Sequence, residues 1–225
     1  MLPTPFRTPP RRASTRRTGR GPTSFQDTQP SQLPNPISKH RRRTDPHHRQ
    51  IIRPPTGLTE AQIRLVAEQG QNSIAWLLWH IARCEDAAIN VVINNGNQVL
   101  DDGWCNKLQI QRQDIGTGMT VAEVMDLSAG IDIDALLGYR LAVARRTNEV
   151  VERLDDRRLE DAAMTDPEVQ RLHDLELFGS NAAWVAEFWQ DKPILWFLWL
   201  ATGHCYAHLG EGLTVRSLAG SPRSR

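Results

Sequence analysis

From Leu58 onward, apolar positions recur at helical spacing, and nowhere does an alternating Val/Ile/Thr-rich run predict a strand. LTEAQIRLVAEQG reads as a short amphipathic helix, with Leu58, Ile63, Val66 and Ala67 on one side and Gly70 as its stop. Asn72 and Ser73 then offer an N-cap for a long helix ending at Asn94-Asn95-Gly96. Within it Trp76, Leu77, His80, Ile81, Cys84 and Ala87 or Ala88 fall three and four apart, which makes them the buried face. Residues 101–118, rich in glycine and polar side chains, read as a loop carrying Trp104 and Cys105. Thr120 and Glu123 form a capping box that opens a helix through Leu127. A longer helix is expected from about Asp132 to Leu154, with an apolar stripe of Ile133, Leu136, Leu137, Leu141, Ala144, Val150 and Leu154. Residues 155–191 are acidic and mixed, with one short helix expected around 180–189. The last helix starts near Pro193, placed at its first position, and runs to about Leu218. The class is all-α, most simply a four-helix bundle with a long crossover connection.

The first 55 residues are a different material. The chain of 225 residues has a formal charge of +1, yet residues 1–50 hold 11 Lys and Arg against Asp27 and Asp45, leaving +9 there and −8 in the remainder. Nine of the 14 prolines lie in the same stretch, while every Trp and Cys comes after residue 70. So few large apolar residues cannot offset the entropy of ordering, so residues 1–55 are expected to be a disordered Arg/Pro-rich tail and 56–220 the helical domain. The Arg clusters allow a basic arm for nucleic acid, but no aromatic residues are interleaved for stacking, and nucleic acid is not the favoured partner. A further reading takes the tail as the product of an upstream start or a reading-frame slip.

No run is long and apolar enough for a membrane span, and no apolar core of a secretory signal follows the basic start, so a cytoplasmic protein is expected, with no membrane partner. Cys84, Cys105 and Cys205 include no C-x-x-C pair and agree with free thiols in a reducing compartment.

The histidines carry the candidate chemistry. His40, His47 and His48 belong to the tail, and His173 to an acidic, loop-like stretch. His204 and His208 form an H-x-x-x-H pair, and residues four apart share a helix face within reach of one ion. His80 lies on the buried side of another helix, where an imidazole needs a partner. A lone core histidine is ordinarily hydrogen-bonded rather than metal-bound, so the pair and His80 gain meaning only if their helices are neighbours.

The segments NSIAWLLWHIARCEDAAIN and GHCYAHLGEGLTVRSLAG resemble the DinB/YfiT-like superfamily, whose members are four-helix bundles with one His in the second helix and an H-x-x-x-H pair in the last. The elements WLLWH and HLGE are most similar to its actinobacterial branch of thiol-dependent, especially mycothiol-dependent, transferases. The resemblance runs from about Leu58 to Gly220 and implies His80, His204 and His208 as metal ligands. It departs where the family has its first helix, because PNPISKHRRRTDPHHRQIIRPP is too rich in proline and cations for an amphipathic helix. A degraded or missing first helix would expose an apolar groove or recruit a partner chain, a homodimer included.

What the resemblance implies is a divalent ion, zinc foremost with nickel or iron as alternatives, and a low-molecular-weight thiol as cosubstrate. Coordination would lower the thiol pKa, so that the thiolate attacks an electrophile in S-transfer, conjugate addition or a thiol-assisted isomerisation. The competing readings are metal-dependent hydrolysis and a non-catalytic metal-binding stress-response bundle. Glu211, on the face of the His pair, is the candidate catalytic residue, as a base or as an acceptor for a ligand histidine. Cys84, four residues after His80, is either a core residue or a neighbour of the ion. Trp76, Trp79, Trp196 and Trp199 are expected to pack the core, and Arg83 and Arg216 are candidates for substrate carboxylates.

Overall fold

The computed structural model describes residues 57–66 and 71–220, which are helical and contain no strand. The tail of residues 1–55, the fate of the first helix, and His40, His47 and His48 lie outside the described residues. Helix α1 (Glu60–Arg64) opens with a capping box between Thr59 and Gln62. Its Arg64 guanidinium donates to the carbonyls of Ser128 and Ala129 at 2.7 and 3.1 Å, the orphan acceptors at the end of another short helix, α4 (Val121–Gly130).

Helix α2 (Ile74–Glu85) is the centre of the molecule, and all twelve of its residues are buried. Ser73 caps it, accepting from the Trp76 N–H at 2.9 Å. Beyond Glu85 the helix continues as a π-helix, Asp86–Ile93, before the chain turns at Asn94, Asn95 and Gly96. Asp86 is fully buried here and accepts from the backbone N–H groups of Val99 and Leu100, from Asn90 and from the Tyr139 hydroxyl.

The segment read as a loop from Asp101 contains a helix, α3 (Asp102–Leu108), capped by Asp101 and closed by Gln109 in a left-handed conformation. Seven residues with two glycine- or charge-rich flanks give too short a periodic signal to read. Helix α5 (Ile133–Arg153) begins just after Asp132, close to the expected start, and Leu136, Ala144 and Val150 of its expected stripe are buried. Leu141 points outward, while Tyr139, Arg140, Val143 and Thr147 are buried against α2. The reason is a buried polar network that an apolar count overlooks. The Arg83 guanidinium, fully enclosed, donates to Asp86 at 3.1 Å, the Tyr139 hydroxyl at 3.0 Å, Gln98 at 2.7 Å and the Gln113 carbonyl at 2.6 Å. Next to it Glu85 meets Arg140 at 3.4 Å and the Thr147 hydroxyl at 2.8 Å.

The mixed stretch holds a second unexpected helix, α6 (Asp166–Asp174), with Thr165 and Glu168 as its capping box, followed by the expected short α7 (Trp184–Trp189). Helix α8 (Ile194–Leu218) is capped by Pro193, which stands one position ahead of the helix rather than at its first residue. It packs along α2 and the π-helix that continues it, and buries Phe197, Leu200, Ala201, Cys205 and Val215. It is apolar on the other side as well, where Leu195, Trp199 and Leu213 face outward. No helix among the described residues is long and apolar enough to cross a membrane.

Candidate metal centre

The contact between α2 and α8 brings His80 against His204 and His208. Ring centroids are 5.2 Å apart for His80 and His204, 4.9 Å for His80 and His208, and 4.4 Å for His204 and His208. His80 is buried, its Nδ1 2.5 Å from the carbonyl oxygen of Ile115. A carbonyl only accepts, so the proton of His80 sits on Nδ1 and its Nε2 is a bare lone pair. His208 is held in the same way, its Nδ1 donating to the Glu211 carboxylate at 3.1 Å, and the other Glu211 oxygen accepts from the Asn72 amide at 3.0 Å. Its Nε2 lies 3.0 Å from the Nε2 of His204.

This arrangement leaves one nitrogen unmatched. With His208 protonated on Nδ1, the short Nε2 to Nε2 contact requires a proton on His204 Nε2, and His204 Nδ1 is then a buried acceptor with no partner among the described residues. A cation facing the two Nε2 atoms would take both lone pairs and end the contact between them, although His204 Nδ1, then carrying the proton, would still find no partner among the described residues. Two nitrogens bound to one tetrahedral zinc stand about 3.3 Å apart, so the pair would need to open by only a few tenths of an ångström. The residues therefore fit a divalent ion.

Charge agrees with that fit. Burial pulls His80 down to about 3, outweighing its hydrogen bond to Ile115 and reinforced by the other two histidines, and burial with the nearby His208 pulls His204 down to about 4. Both are neutral near pH 7, the form in which imidazole is a ligand. Cys84 adds sulfur to the cluster, its Sγ 3.6 Å from His80 Nε2. One donor atom from each of His80, Cys84 and His204 lies within 4.8 Å of the others, so this His/Cys/His group could hold a metal ion.

The loop after α3 builds the far wall, and little in the sequence announced it. Gly116, next to the Ile115 carbonyl, has φ +82°, and a Cβ there would lie 2.4 Å from the Trp79 ring. Glycine lets the loop descend onto that indole and present the Ile115 carbonyl to His80. Three residues on, the Met119 sulfur accepts from the Trp76 indole N–H at 3.1 Å. Trp76 in turn stacks on His80 with centroids 4.6 Å apart and planes 12° from parallel. The indole is thus core packing that also fixes a candidate ligand. His173 stands apart on α6, paired with Glu187 at 3.1 Å, rather than in a loop. Arg83 does not face a ligand site, because all its donors are turned into the buried network, and Arg216 is partly buried in the last turn of α8.

The DinB superfamily profile matches residues 39–211. The chain belongs to the DinB superfamily. This superfamily typically binds metal, in keeping with the donor cluster. Among solved structures, the crystal structure of a conserved protein from Enterococcus faecalis is similar in fold, with a TM-score of 0.54 and 17% identity over 77% of this chain and 89% of that one. No curated protein matches the chain.

Proposed function

We propose that this DinB protein is a metal-dependent enzyme that uses a low-molecular-weight thiol, of the mycothiol type, against an electrophilic substrate. His80, His204 and His208 would hold the ion. The observation that carries the proposal is the orientation of the imidazoles: Ile115 and Glu211 accept hydrogen bonds from the Nδ1–H groups of His80 and His208, turning their Nε2 atoms toward His204. Metal-ligating histidines are oriented by such outer partners. A bound zinc, nickel or iron would supply Lewis acidity that makes a thiol acidic near neutral pH.

The chain's own residues do the positioning. Trp76 holds the plane of His80, Ile115 fixes its tautomer, and Glu211, tied to Asn72, fixes that of His208. Glu211 thus serves as a positioning residue, with both oxygens engaged. The actinobacterial, mycothiol-dependent character and the cytoplasmic setting rest on the WLLWH and HLGE resemblance and on three buried free cysteines.

The test is metal analysis of purified protein together with turnover of mycothiol and a chlorinated aromatic electrophile. About one ion per chain is expected, lost in His80→Ala, His204→Ala and His208→Ala, with thiol consumption only in loaded protein. Folded protein that takes up no divalent metal overturns the reading. A second reading, a metal-stabilised bundle without catalysis, draws on the Cys84 sulfur beside His80, since an extra protein donor closes a site as structural sites are closed. It predicts a thermal shift on metal binding with no thiol turnover.

A further inference from the structure

We infer that this protein pairs with a second copy of itself through the outward face of α8, widened by exposed aromatic residues of α7. Helix α8 is apolar all round, and a helix of that kind is ordinarily buried on every side, as α2 is here. Its outward positions are Leu195, Trp199, Thr202, Tyr206, Gly210 and Leu213, three and four apart, with no charged side chain among them. All six are exposed, Trp199 to 56% and Leu213 to 63%. The Thr202 hydroxyl donates to the Leu198 carbonyl of its own helix at 2.9 Å, so it needs no polar partner outside. A Cβ on Gly210 would meet nothing within 4 Å, which leaves room for another helix to come close.

Aromatic rings widen the stripe near its start. Trp184 and Phe188, 60% and 50% exposed on α7, have ring centroids 6.1 Å apart. Phe188 lies 5.8 Å from Trp196, and Trp196 lies 6.4 Å from Trp199, so the two helices share one patch. Lys192 stands at its edge, 4.9 Å above the Phe188 ring. An aromatic centre with charge only at the rim is how protein interfaces are built. The exposed parts of Trp184, Phe188, Leu195, Trp199, Tyr206 and Leu213 amount to roughly 700 Å², more than an ordinary monomer leaves in one apolar patch. Two such faces together would bury about 1,400 Å², inside the range of stable, specific interfaces.

A second copy fits this face better than other occupants. A two-fold axis sets the stripe against its own image, and an uncharged apolar face is complementary to itself. Nucleic acid or an anionic membrane calls for a set of cations, and Lys192 is the one cation at the patch. The chain enters α1 beside the C-terminal end of α8, where Gln62 donates to the Ala219 carbonyl at 3.0 Å. Yet residues 39–56 offer only Ile51 and Ile52 as large apolar side chains to lay along the stripe. His204 and His208 project from the opposite side of α8, against His80 of α2, so the inference is independent of the metal reading and goes beyond it.

The test is sedimentation velocity of the full-length protein over a concentration series, with circular dichroism to confirm the fold of each variant. Wild type is expected to sediment as a dimer that dissociates on dilution. Trp199→Glu and Leu213→Glu should each raise the dissociation constant by about 30-fold or more. Met125→Glu, at a comparably exposed apolar position on α4, should leave it unchanged. Thr202→Cys gives a readout that needs no disrupted interface. The native cysteines are buried, so the new thiol should react with a bulky maleimide several-fold more slowly in the dimer than in the dilute monomer. A wild type that stays monomeric overturns the inference, whether its face is then found covered by residues 39–56 or bound to neutral lipid vesicles. A dimer that survives both glutamate substitutions, or a Thr202→Cys thiol equally reactive in dimer and monomer, overturns it as well and puts the interface elsewhere.

Discussion

The Ile115 carbonyl accepts a hydrogen bond from the Nδ1–H of His80, with nitrogen and oxygen 2.5 Å apart, and through that one contact a loop dictates which nitrogen of a helix-borne histidine faces the cluster. The loop can do this because Gly116 follows. Its φ of +82° strains any residue with a Cβ, and the Trp79 ring leaves no room for one.

We therefore predict that Gly116→Ala displaces the Ile115 carbonyl. The left-handed conformation and the indole contact together should cost roughly 1–3 kcal/mol of stability. Loss of the outer partner should weaken zinc binding by about 10–100-fold. Urea unfolding of metal-free protein and zinc titration against a chromophoric chelator separate the two effects. Unchanged zinc affinity would remove the loop from the site.

Glu211 should separate orientation from proton transfer. In Glu211→Gln the amide oxygen can still accept from His208 Nδ1, whereas Glu211→Ala leaves that N–H without its partner. Zinc affinity should fall by about 10-fold or more in the alanine variant and clearly less in the glutamine variant. Equal losses in affinity, or a glutamine variant that binds zinc normally but has lost all thiol turnover, would make the charge of Glu211 rather than its hydrogen bond the important property.

The helices that carry the site were legible because their signals are long and local. Ser73 before an apolar run, Thr120 with Glu123, and Asp132 ahead of a periodic segment all cap helices in the structure. The H-x-x-x-H pair was legible for the same reason, since spacing along one helix fixes which side chains share a face. What joins α2 to α8 was not. No spacing in the sequence relates Ile115 to His80, or says that Arg83 and Arg140 point inward. Helices α3 and α6, of seven and nine residues, were missed because two turns hold too few apolar positions to establish a period. His173 was misplaced with α6 for that reason.

The buried network beneath the site should be brittle. Arg83 and Asp86 are both fully enclosed, and Asp86 also anchors the backbone of Val99 and Leu100. Removing one ion of a buried pair leaves the other uncompensated, so Asp86→Ala should cost about 3–5 kcal/mol. A paired change to apolar residues at both positions should cost less than the sum of the two single changes, apart from the lost anchoring of Val99 and Leu100. Chemical denaturation of the single and double variants gives the coupling directly. Additive losses would show that the pair acts as two independent hydrogen-bonding groups.

Acid should destabilise the metal-free protein through the same histidines. His80 has a folded pKa of about 3 and His204 of about 4, both below the ordinary value of 6.5. Below about pH 6.5 the unfolded chain therefore takes up protons that the folded one refuses. Stability should be fully present above that pH and decline as pH falls toward 4, with a slope of about 1.4 kcal/mol per pH unit from the buried His80 alone. His204 adds to that slope, discounted for its partial exposure. His80→Phe should flatten the curve between pH 6 and 4 in urea titrations of metal-free protein. A variant with the wild-type slope would mean that His80 is protonated in the folded state, contrary to its burial against Trp76 and Ile115.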